Sequence, residues 1–341
     1  MAIFHWNDTQ ELLRTVRFSK VWNALHVIGS YILSKWLKRP IQPGFPLAIS
    51  IEPTTSCNLR CPECPSGLRS FTRPTGMLSD AIFIKTIDEL HPSLFYLTFY
   101  FQGEPYLHPN FLRMVSYANQ KGIYTATSTN AHYFTDTIAK QTVESGLKRL
   151  IISIDGTTQD TYQSYRIGGS LEKVIEGTRK VIEWKNKLKS TTPHIVFQFL
   201  VVKPNEHQIE DVYTLAKELG VRDVRLKTAQ IYDYENGSEL IPTMDKYARY
   251  RKLKSGKYEI KNKLLHHCWK MWHSCVITWD GKVIPCCFDK DAQYVLGEVK
   301  NESFERIWES EAYFHFRKQL LQHRSQIEMC KNCTEGMPIW G

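Results

Sequence analysis

The sequence predicts an α/β protein built from parallel β/α units, followed by a smaller α+β region at the carboxyl end. Between residues 47 and 227, six short apolar strand patterns alternate with five amphipathic helix patterns. Near the carboxyl end, the Asp280-Gly281 pair stands between two apolar runs, which is a strong β-hairpin signal. The length of 341 residues, 42% of them hydrophobic, is sufficient for one large domain and a small one.

An amphipathic segment, residues 20–39, lies within an amino-terminal helical extension of residues 1–46. Its apolar residues recur at helical spacing: Val21, Leu25, Ile28, Ile32 and Trp36. The run is too short and too often interrupted by polar residues to span a bilayer, which takes about 20 mostly apolar residues. Amphipathicity alone leaves two interpretations, a helix packed on the main domain or a helix lying peripherally on an anionic membrane surface.

From residue 47 onward, strand and helix patterns alternate. The expected strands are 47–52, 96–101, 123–127, 150–154, 195–202 and 223–227. The expected helices are 79–90, 110–121, 136–145, 171–184 and 206–219. Gly122, Gly146 and Gly220 stand where three of these helices should end. Strands connected by helices in this way pair in parallel, and their carboxyl ends form the edge at which such folds carry their chemistry.

Three cysteines follow the first expected strand with the spacing C-x3-C-x2-C: Cys57, Cys61 and Cys64. Thiolates are the soft ligands that iron–sulfur clusters take, and three of them leave one iron of a cubane cluster open. An open coordination position is what makes chemistry possible at a metal site. The alternative is a zinc site that takes a fourth ligand from elsewhere, although this spacing is unusual for zinc.

Polar or glycine-containing clusters follow the next three expected strands. The first begins at Gln102 and the second at Ser128; the fourth expected strand itself contains Ser153 and is followed by Asp155-Gly156. Each cluster taken alone is ordinary turn chemistry. Because all of them fall on the same edge as the three cysteines, together they favour a shared ligand.

The run Cys57-Asn58-Leu59-Arg60-Cys61-Pro62-Glu63-Cys64, followed by Gly103-Glu104-Pro105, resembles the radical S-adenosylmethionine (SAM) superfamily. The resemblance covers residues 47–230 and implies a partial (β/α)6 barrel. It further implies a 4Fe-4S cluster with an open iron, bound SAM, and a low-potential electron donor such as flavodoxin or ferredoxin. Glu63 departs from the family pattern, in which an aromatic residue is common before the third cysteine.

The resemblance also assigns six SAM contacts: Gly103, Glu104, Ser128, Asn130, Ser153 and Arg166. Glu104, presented by a flexible Gly103, would accept a hydrogen bond from the methionine ammonium. Ser128 and Asn130 would contact the ribose or the carboxylate. Ser153 and Arg166 would bind the carboxylate end, Arg166 through charge-assisted hydrogen bonds.

Residues 231–265 are expected to be a bridging segment with tyrosines set among charged residues. The net charge of +9 and the basic run from Lys246 to Lys263 favour anionic partners in general. A nucleic-acid surface would combine such basic and aromatic residues, but no recognition-fold signature accompanies them. The sequence therefore favours a solvated connecting segment over nucleic-acid binding.

Four of the remaining cysteines form the pattern Cys268-x12-Gly281-x4-Cys286, followed by Cys330-x2-Cys333. Four thiolates suit either a fully ligated second 4Fe-4S cluster or a structural zinc ion. The pattern resembles the SPASM or "twitch" extension of radical SAM enzymes, expected here over residues 266–341, which implies the second cluster. Cys275 also precedes Gly281 and is the alternative to Cys268 as a ligand.

Cys287 and Asp289 are the candidate catalytic residues after the hairpin. A thiol beside a cluster could return a hydrogen atom to a substrate radical, whereas the usual fate of a free cysteine is to be a small buried hydrophobe. Asp289 could take a proton from a substrate hydroxyl.

By the resemblance, SAM is cleaved reductively and the 5′-deoxyadenosyl radical abstracts hydrogen from a C–H bond. A second cluster that accepts an electron implies a two-electron oxidation. The alternatives are an epimerase with Cys287 or Cys275 as hydrogen donor, a peptide-modifying maturase, and a non-enzymatic iron–sulfur or zinc redox sensor. The substrate would be a small molecule, a lipid-linked molecule or a peptide.

Nine cysteines without a signal peptide indicate a reducing compartment, where clustered cysteines bind metals more often than they form disulfides. The expected location is the cytoplasm, with the inner face of the membrane as the alternative if residues 20–39 bind lipid.

Overall fold

The structure, a computed structural model, describes residues 6–262 and 264–333. These residues fall into two units, each assembled from separate stretches of chain. The first unit contains residues 6–9, 57–70 and 126–262, and the second contains 10–56, 71–125 and 264–333. The three-cysteine loop therefore lies in the first unit, and the six carboxyl-terminal cysteines lie in the second.

The strands are β1 (Ala48–Ile51), β2 (Tyr96–Thr98), β3 (Tyr124–Thr129), β4 (Arg149–Ser153), β5 (His194–Val201), β6 (Asp223–Thr228), β7 (Tyr250–Lys252), β8 (Tyr258–Ile260), β9 (Ser274–Ile277), β10 (Lys282–Ile284) and β11 (Gly297–Glu298). The six strands of the β/α units and the two strands of the hairpin occur where the sequence pattern predicts them, whereas β7, β8 and β11 were not predicted. The predicted α/β class, with six strands in β/α units and a small α+β region after them, is confirmed.

Helices separate these strands and also precede and follow them. They are α1 (Trp6–Leu13), α2 (Phe18–Leu37), α3 (Pro65–Leu68), α4 (Asp80–Leu90), α5 (Phe111–Gln120), α6 (Asp136–Glu144), α7 (Gln159–Tyr165), α8 (Leu171–Lys187), α9 (Ile209–Leu219), α10 (Lys270–His273), α11 (Phe304–Trp308), α12 (Glu311–His323) and α13 (Glu328–Lys331). Within the described residues, no helix is long and apolar enough to cross a membrane.

In the first unit, β3, β4, β5 and β6 pair in parallel in that order. Helices α6, α8 and α9 connect or follow these strands, and each starts or ends on the residue type expected for a cap. Thr135 and Ser170 accept hydrogen bonds from the backbone amides three residues further on. Gly220 ends α9 with a φ of 79°, as its place in the sequence predicts.

In the second unit, β1 pairs in parallel with β2 on one side and with β9 on the other. Strands β9 and β10 form the antiparallel hairpin that Asp280-Gly281 predicts, and Gly281 adopts a φ of 88° in its turn. The strand order in this unit is therefore β11-β10-β9-β1-β2. The hairpin of the carboxyl-terminal region thus extends the sheet that contains β1, which gives β1 a partner on both edges.

A buried ion pair connects the end of β1 with the hairpin. The Arg73 guanidinium donates to both oxygens of the Glu52 carboxylate, at 2.8 and 2.6 Å. Glu52 is fully buried, and it also accepts a hydrogen bond from the Trp279 backbone amide. Removing one partner of a buried ion pair strongly destabilises the folded protein, because the remaining charge is left buried without compensation.

Helix α2 packs on the second unit, but not through the apolar residues that mark its sequence pattern. The five apolar residues that mark the pattern in the sequence are all exposed: Val21, Leu25, Ile28, Ile32 and Trp36. The buried residues of α2 are instead Lys20, Val27, Ser30, Tyr31 and Ser34.

Candidate functional site

The loop that carries the first three cysteines is tightly held in the first unit. Cys61 is buried, whereas Cys57 and Cys64 are partly exposed. The Cys64 amide donates to the Cys61 carbonyl oxygen, and α3 begins immediately after Cys64 with a proline at its first position. A Cβ atom on Gly67 of α3 would lie 2.6 Å from the Cys61 nitrogen, so the loop can fold back in this way only over glycine.

Arg166 lies beside Cys61. Its Nε donates to the Asp155 carboxylate at 2.5 Å, and its Nη1 is 3.7 Å from the Cys61 sulfur. Burial raises the pKa of the Cys61 thiol, and the positive charge of Arg166 opposes that rise. Arg166 therefore favours the thiolate form that an iron ligand requires. Its expected pairing with the SAM carboxylate stays a prediction.

Asp155 is the residue that positions Arg166, although the sequence pattern did not single it out as a site residue. Its carboxylate is fully buried and also accepts from the Leu200 backbone amide at 2.6 Å. The buried Asn205 side chain donates to the Asp155 backbone carbonyl at 3.0 Å. The signal available in the sequence was an aspartate directly after a strand, which ordinary turn chemistry also explains.

Three other expected SAM contacts lie in the same unit as the cysteine loop. The Asn130 side chain donates to the Asn58 side chain at 2.7 Å, and its nitrogen is 3.9 Å from the Cys57 sulfur. Ser128 and Ser153 lie on the neighbouring parallel strands β3 and β4, with their hydroxyl oxygens 3.4 Å apart. The structure thus brings Asn130 to the cysteine loop and the two serines to each other.

Gly103 and Glu104 lie in the second unit. Gly103 has a φ of 74°, and a Cβ atom there would be 2.2 Å from the Thr54 carbonyl oxygen. Glycine is therefore required by close packing, which differs from the expected flexible presentation of Glu104. The Glu104 carboxylate is buried and accepts from the Tyr106 amide at 3.2 Å, while its own amide donates to Ser56. Its contact with the methionine ammonium stays a prediction.

Part of the segment expected to be a bridge, within residues 231–262, packs on the cysteine loop. Ile231 and Tyr250 belong to one buried apolar cluster with Leu59 and Cys61. Tyr250 stacks on Tyr234 with ring centroids 4.5 Å apart. These residues shield one side of the loop from water, although others in the segment remain exposed.

The four cysteines expected to hold the second cluster line one small cavity of the second unit: Cys268, Cys286, Cys330 and Cys333. All four are buried. Cys275 does not line this cavity; it lies in β9 near Tyr313, and burial raises its pKa to about 12. The placement favours Cys268 over Cys275 as a ligand.

The donor set of this cavity fits an iron–sulfur cluster. Four thiols without a histidine or carboxylate are the ligands that a 4Fe-4S cluster takes. In the described part of the chain, no three Cys, His, Asp or Glu side chains converge as they would on a single metal ion. A cubane cluster needs less convergence, because each thiolate binds a different corner.

Two cations lie beside these cysteines, and neither was apparent from the sequence pattern. The buried Arg324 places Nη2 3.7 Å from the Cys333 sulfur, and its Nη1 donates to the His267 carbonyl at 2.7 Å. Burial opposes its charge, but the Cys268, Cys333 and Cys330 thiolates raise the pKa of Arg324 overall. Lys270 places Nζ 3.7 Å from the Cys287 sulfur.

The two candidate catalytic residues have different surroundings. Asp289 is buried, and its two oxygens accept from the Gln293 and Tyr294 backbone amides, each at 2.8 Å. Burial, the largest cause, raises the Asp289 pKa. Cys287 is partly exposed. Asp289 thus stabilises a turn, and its role as a base stays a prediction, as does hydrogen donation by Cys287.

Two protein-family models match the chain. The radical SAM superfamily model matches residues 51–216, and the SPASM model, an iron–sulfur cluster-binding domain, matches residues 268–334. The first match includes Cys57, Cys61 and Cys64, and the second includes the four cysteines of the auxiliary cavity.

Curated relatives and solved structures are similar over most of the chain. A tungsten-containing aldehyde ferredoxin oxidoreductase cofactor-modifying protein of Pyrococcus furiosus is 28% identical over 83% of this chain and 86% of its own length. An AdoMet-dependent heme synthase of Methanosarcina barkeri is 23% identical over 84% of this chain and 88% of its own length. The structure of BtrN in complex with AdoMet and 2-DOIA has a TM-score of 0.52 and 18% identity, and it covers 86% of this chain and 95% of BtrN.

Proposed function

The chain belongs to the radical SAM superfamily and carries a carboxyl-terminal SPASM domain, and on this basis we propose that it oxidises its substrate by two electrons at a C–H bond. It is an enzyme whose cofactors are a 4Fe-4S cluster, SAM and an auxiliary iron–sulfur cluster. When bound, these supply reductive cleavage of SAM to a 5′-deoxyadenosyl radical, which abstracts a substrate hydrogen atom.

The observation that carries the oxidation is the cavity lined by Cys268, Cys286, Cys330 and Cys333. Four thiolates leave no iron of a cubane cluster open, so this site fits an electron acceptor better than a substrate-binding metal. Arg324 beside it favours an added negative charge. A two-electron oxidation would be completed by transfer of one hydrogen atom to the 5′-deoxyadenosyl radical, one electron to the auxiliary cluster and one proton to a base, for which Asp289 is the candidate.

In the first unit, we assign Cys57, Cys61 and Cys64 to the cluster that binds SAM. Arg166 and Asn130 place their nitrogens within 4 Å of two of these sulfurs. Hydrogen bonds to the sulfurs of a cluster raise the reduction potential of that cluster, and here they would also fix the three-cysteine loop. Asp155 holds Arg166 in place through the 2.5 Å hydrogen bond.

We propose a small-molecule substrate. Two relatives are named for modifying an enzyme cofactor and for heme synthesis, which supports a small molecule over a peptide. A lipid-linked molecule or a peptide is the alternative. The electron for SAM cleavage would come from a low-potential donor such as flavodoxin or ferredoxin.

The proposal is tested by anaerobic turnover. Protein reduced with dithionite should form 5′-deoxyadenosine from SAM, and Cys61→Ala should not, because it loses one of the three cluster ligands. Cys275→Ser is the matched control, since Cys275 lies in β9 and does not line the auxiliary cavity. Equal 5′-deoxyadenosine formation by the wild type and Cys61→Ala would contradict the proposal. With deuterated candidate substrates, deuterium in 5′-deoxyadenosine would identify the substrate.

Epimerisation is the second candidate, because Cys287 is partly exposed and next in sequence to the cluster ligand Cys286. Turnover in heavy water separates the two reactions. An epimerase returns a solvent-derived deuterium to carbon through a thiol, and Cys287→Ala would stop it. An oxidation gives a product that has lost two hydrogen atoms, carries no new deuterium on carbon and does not require the Cys287 thiol.

A further inference from the structure

Helix α2 has its polar side inward. Lys20 is 1% exposed and donates from Nζ to the Gly122 carbonyl at 2.7 Å. Ser34 is fully buried and exchanges hydrogen bonds with the Ile41 backbone. Tyr31 donates to or accepts from His267 at 2.8 Å and packs edge-on against Trp272. These contacts, all within the second unit, fix the rotation of α2 about its axis.

The opposite side of α2 exposes large apolar residues. The most exposed are Phe18 (85%) and Trp36 (82%), and Trp22, Leu25 and Leu33 between them are each more than half exposed. A helix on the surface of a globular domain normally faces the core with its apolar side and water with its polar side. A continuous apolar surface turned outward is typical of an interaction site.

The chain segment that contains α2 is basic. Residues 12–51 contain six Lys and Arg and no Asp or Glu, and one of the six, Arg14, forms an ion pair with Glu11 just before the segment. Five of the six cations are exposed, two before the helix and three at or after its end: Arg14, Arg17, Lys35, Lys38 and Arg39. An aromatic, apolar helix face with cations at both ends complements the acyl chains and headgroups of an anionic bilayer.

The same charges disfavour a second copy of this chain on the surface. Two antiparallel copies of α2 would bring Arg14 and Arg17 of one copy towards Lys35 and Lys38 of the other. Like charges in contact across an interface oppose association. A bilayer with anionic lipid offers both the apolar layer and the counter-charge.

We propose that α2 lies in the surface of an anionic bilayer, with Phe18, Trp22, Leu25, Leu33 and Trp36 towards the acyl chains. The helix does not cross the bilayer, and the buried Lys20 and Ser34 keep its inner side on the protein. This binding does not depend on the radical chemistry proposed above. It brings the enzyme to the membrane as a peripheral protein.

The test is flotation of the full chain with vesicles of phosphatidylcholine alone or mixed with phosphatidylglycerol. Wild type should float with the mixed vesicles, less with phosphatidylcholine alone, and less again at high salt. Replacing Trp22, Leu25 and Trp36 together by Ser should lower the bound-to-free ratio by about tenfold or more. Lys35→Gln, which removes one positive charge, should lower it by about fivefold.

The matched control replaces two exposed apolar residues of the first unit, Leu188→Ser and Tyr213→Ser, and should float like wild type. The triple variant should keep the wild-type circular dichroism, because the exchanged side chains are each more than half exposed. Equal flotation of wild type and the triple variant would overturn the proposal. So would a lipid-free dimer that dissociates in the triple variant, since a second copy would then occupy the surface.

Discussion

Arg324 places a buried positive charge beside the cysteines of the auxiliary site, and Lys270 adds a second, partly exposed one. A reduced cluster carries one more negative charge than its oxidised form, so nearby cations favour the reduced form. Arg324 also donates to the His267 backbone carbonyl, which holds it in place. At the scale of single residues, these two side chains are therefore expected to tune the potential of the auxiliary cluster.

Arg324→Gln should lower the midpoint potential of the auxiliary cluster by about 60 mV, a tenfold change in the equilibrium constant of a one-electron couple. Arg324→Lys keeps the charge and should stay close to wild type. The measurement is a redox titration of the reconstituted protein followed by electron paramagnetic resonance. Arg306→Gln, in α11 and exposed, is the control. Equal potentials in Arg324→Gln and wild type, at equal iron content, would contradict this role.

The cysteine spacing was informative because an iron–sulfur loop is local in sequence. Cys57, Cys61 and Cys64 could be assigned to one site from their spacing alone. Asp155 and Arg324 could not, because their roles arise from contacts with residues 11 and 9 positions away in sequence and with loops further off. A buried charge is revealed by its partners, which composition and spacing do not specify.

At the scale of elements, the buried Lys20 of α2 is expected to make the stability of the folded protein depend on pH. Burial, with a smaller contribution from Arg17, lowers the Lys20 pKa from 10.5 to about 8. Between these values the unfolded chain binds the proton and the folded chain does not, so stability contributed by this position rises with pH.

Relative to Lys20→Met, wild type should therefore become more stable as the pH increases from about 8 to 10.5, by up to about 3 kcal/mol. Thermal unfolding of both proteins across this range measures the difference. Lys35→Met, which removes an exposed lysine of the same helix, is the control for loss of a lysine from α2. If the difference in stability between wild type and Lys20→Met stayed constant across this pH range, the lowered pKa of Lys20 would be refuted.

The strands and helices of the β/α units were predictable because their periodicities are local. The hairpin β9–β10 was equally clear from Asp280-Gly281. Its pairing with β1 was not, since hydrogen bonding between segments more than 200 residues apart leaves no periodic signal. The sequence pattern also could not predict which side of α2 faces the protein. A hydrophobic stripe shows which residues share a face of the helix, but it does not show what that face contacts.

For the whole molecule, the described chain forms two units that do not follow the expected linear order of segments. The predicted bounds at residues 46, 230 and 265 follow changes in sequence pattern and stay a prediction. The loop of the first cluster and the cysteines of the second nevertheless fall in different units. Loss of one site should therefore leave the ligands of the other intact.

Cys333→Ala should reduce the iron content from about eight to about four atoms per chain, because it removes only the auxiliary cluster. It should also lower the midpoint of thermal unfolding, since the emptied cavity leaves buried thiols and Arg324 without the bound group. Iron and sulfide analysis after anaerobic purification provides the measurement. Cys275→Ser should retain about eight irons. About four irons together with one zinc in wild type would instead indicate a structural zinc site.

The outward-facing apolar side of α2 also has a consequence for purification of the protein. Lys20, Tyr31 and Ser34 fasten the inner side, so the helix cannot turn its aromatic residues away from water when no lipid is present. A mild detergent should occupy that face in place of lipid and reduce aggregation during purification. In lysed cells, the protein is expected to sediment with the membrane fraction and to be released by washing with concentrated salt.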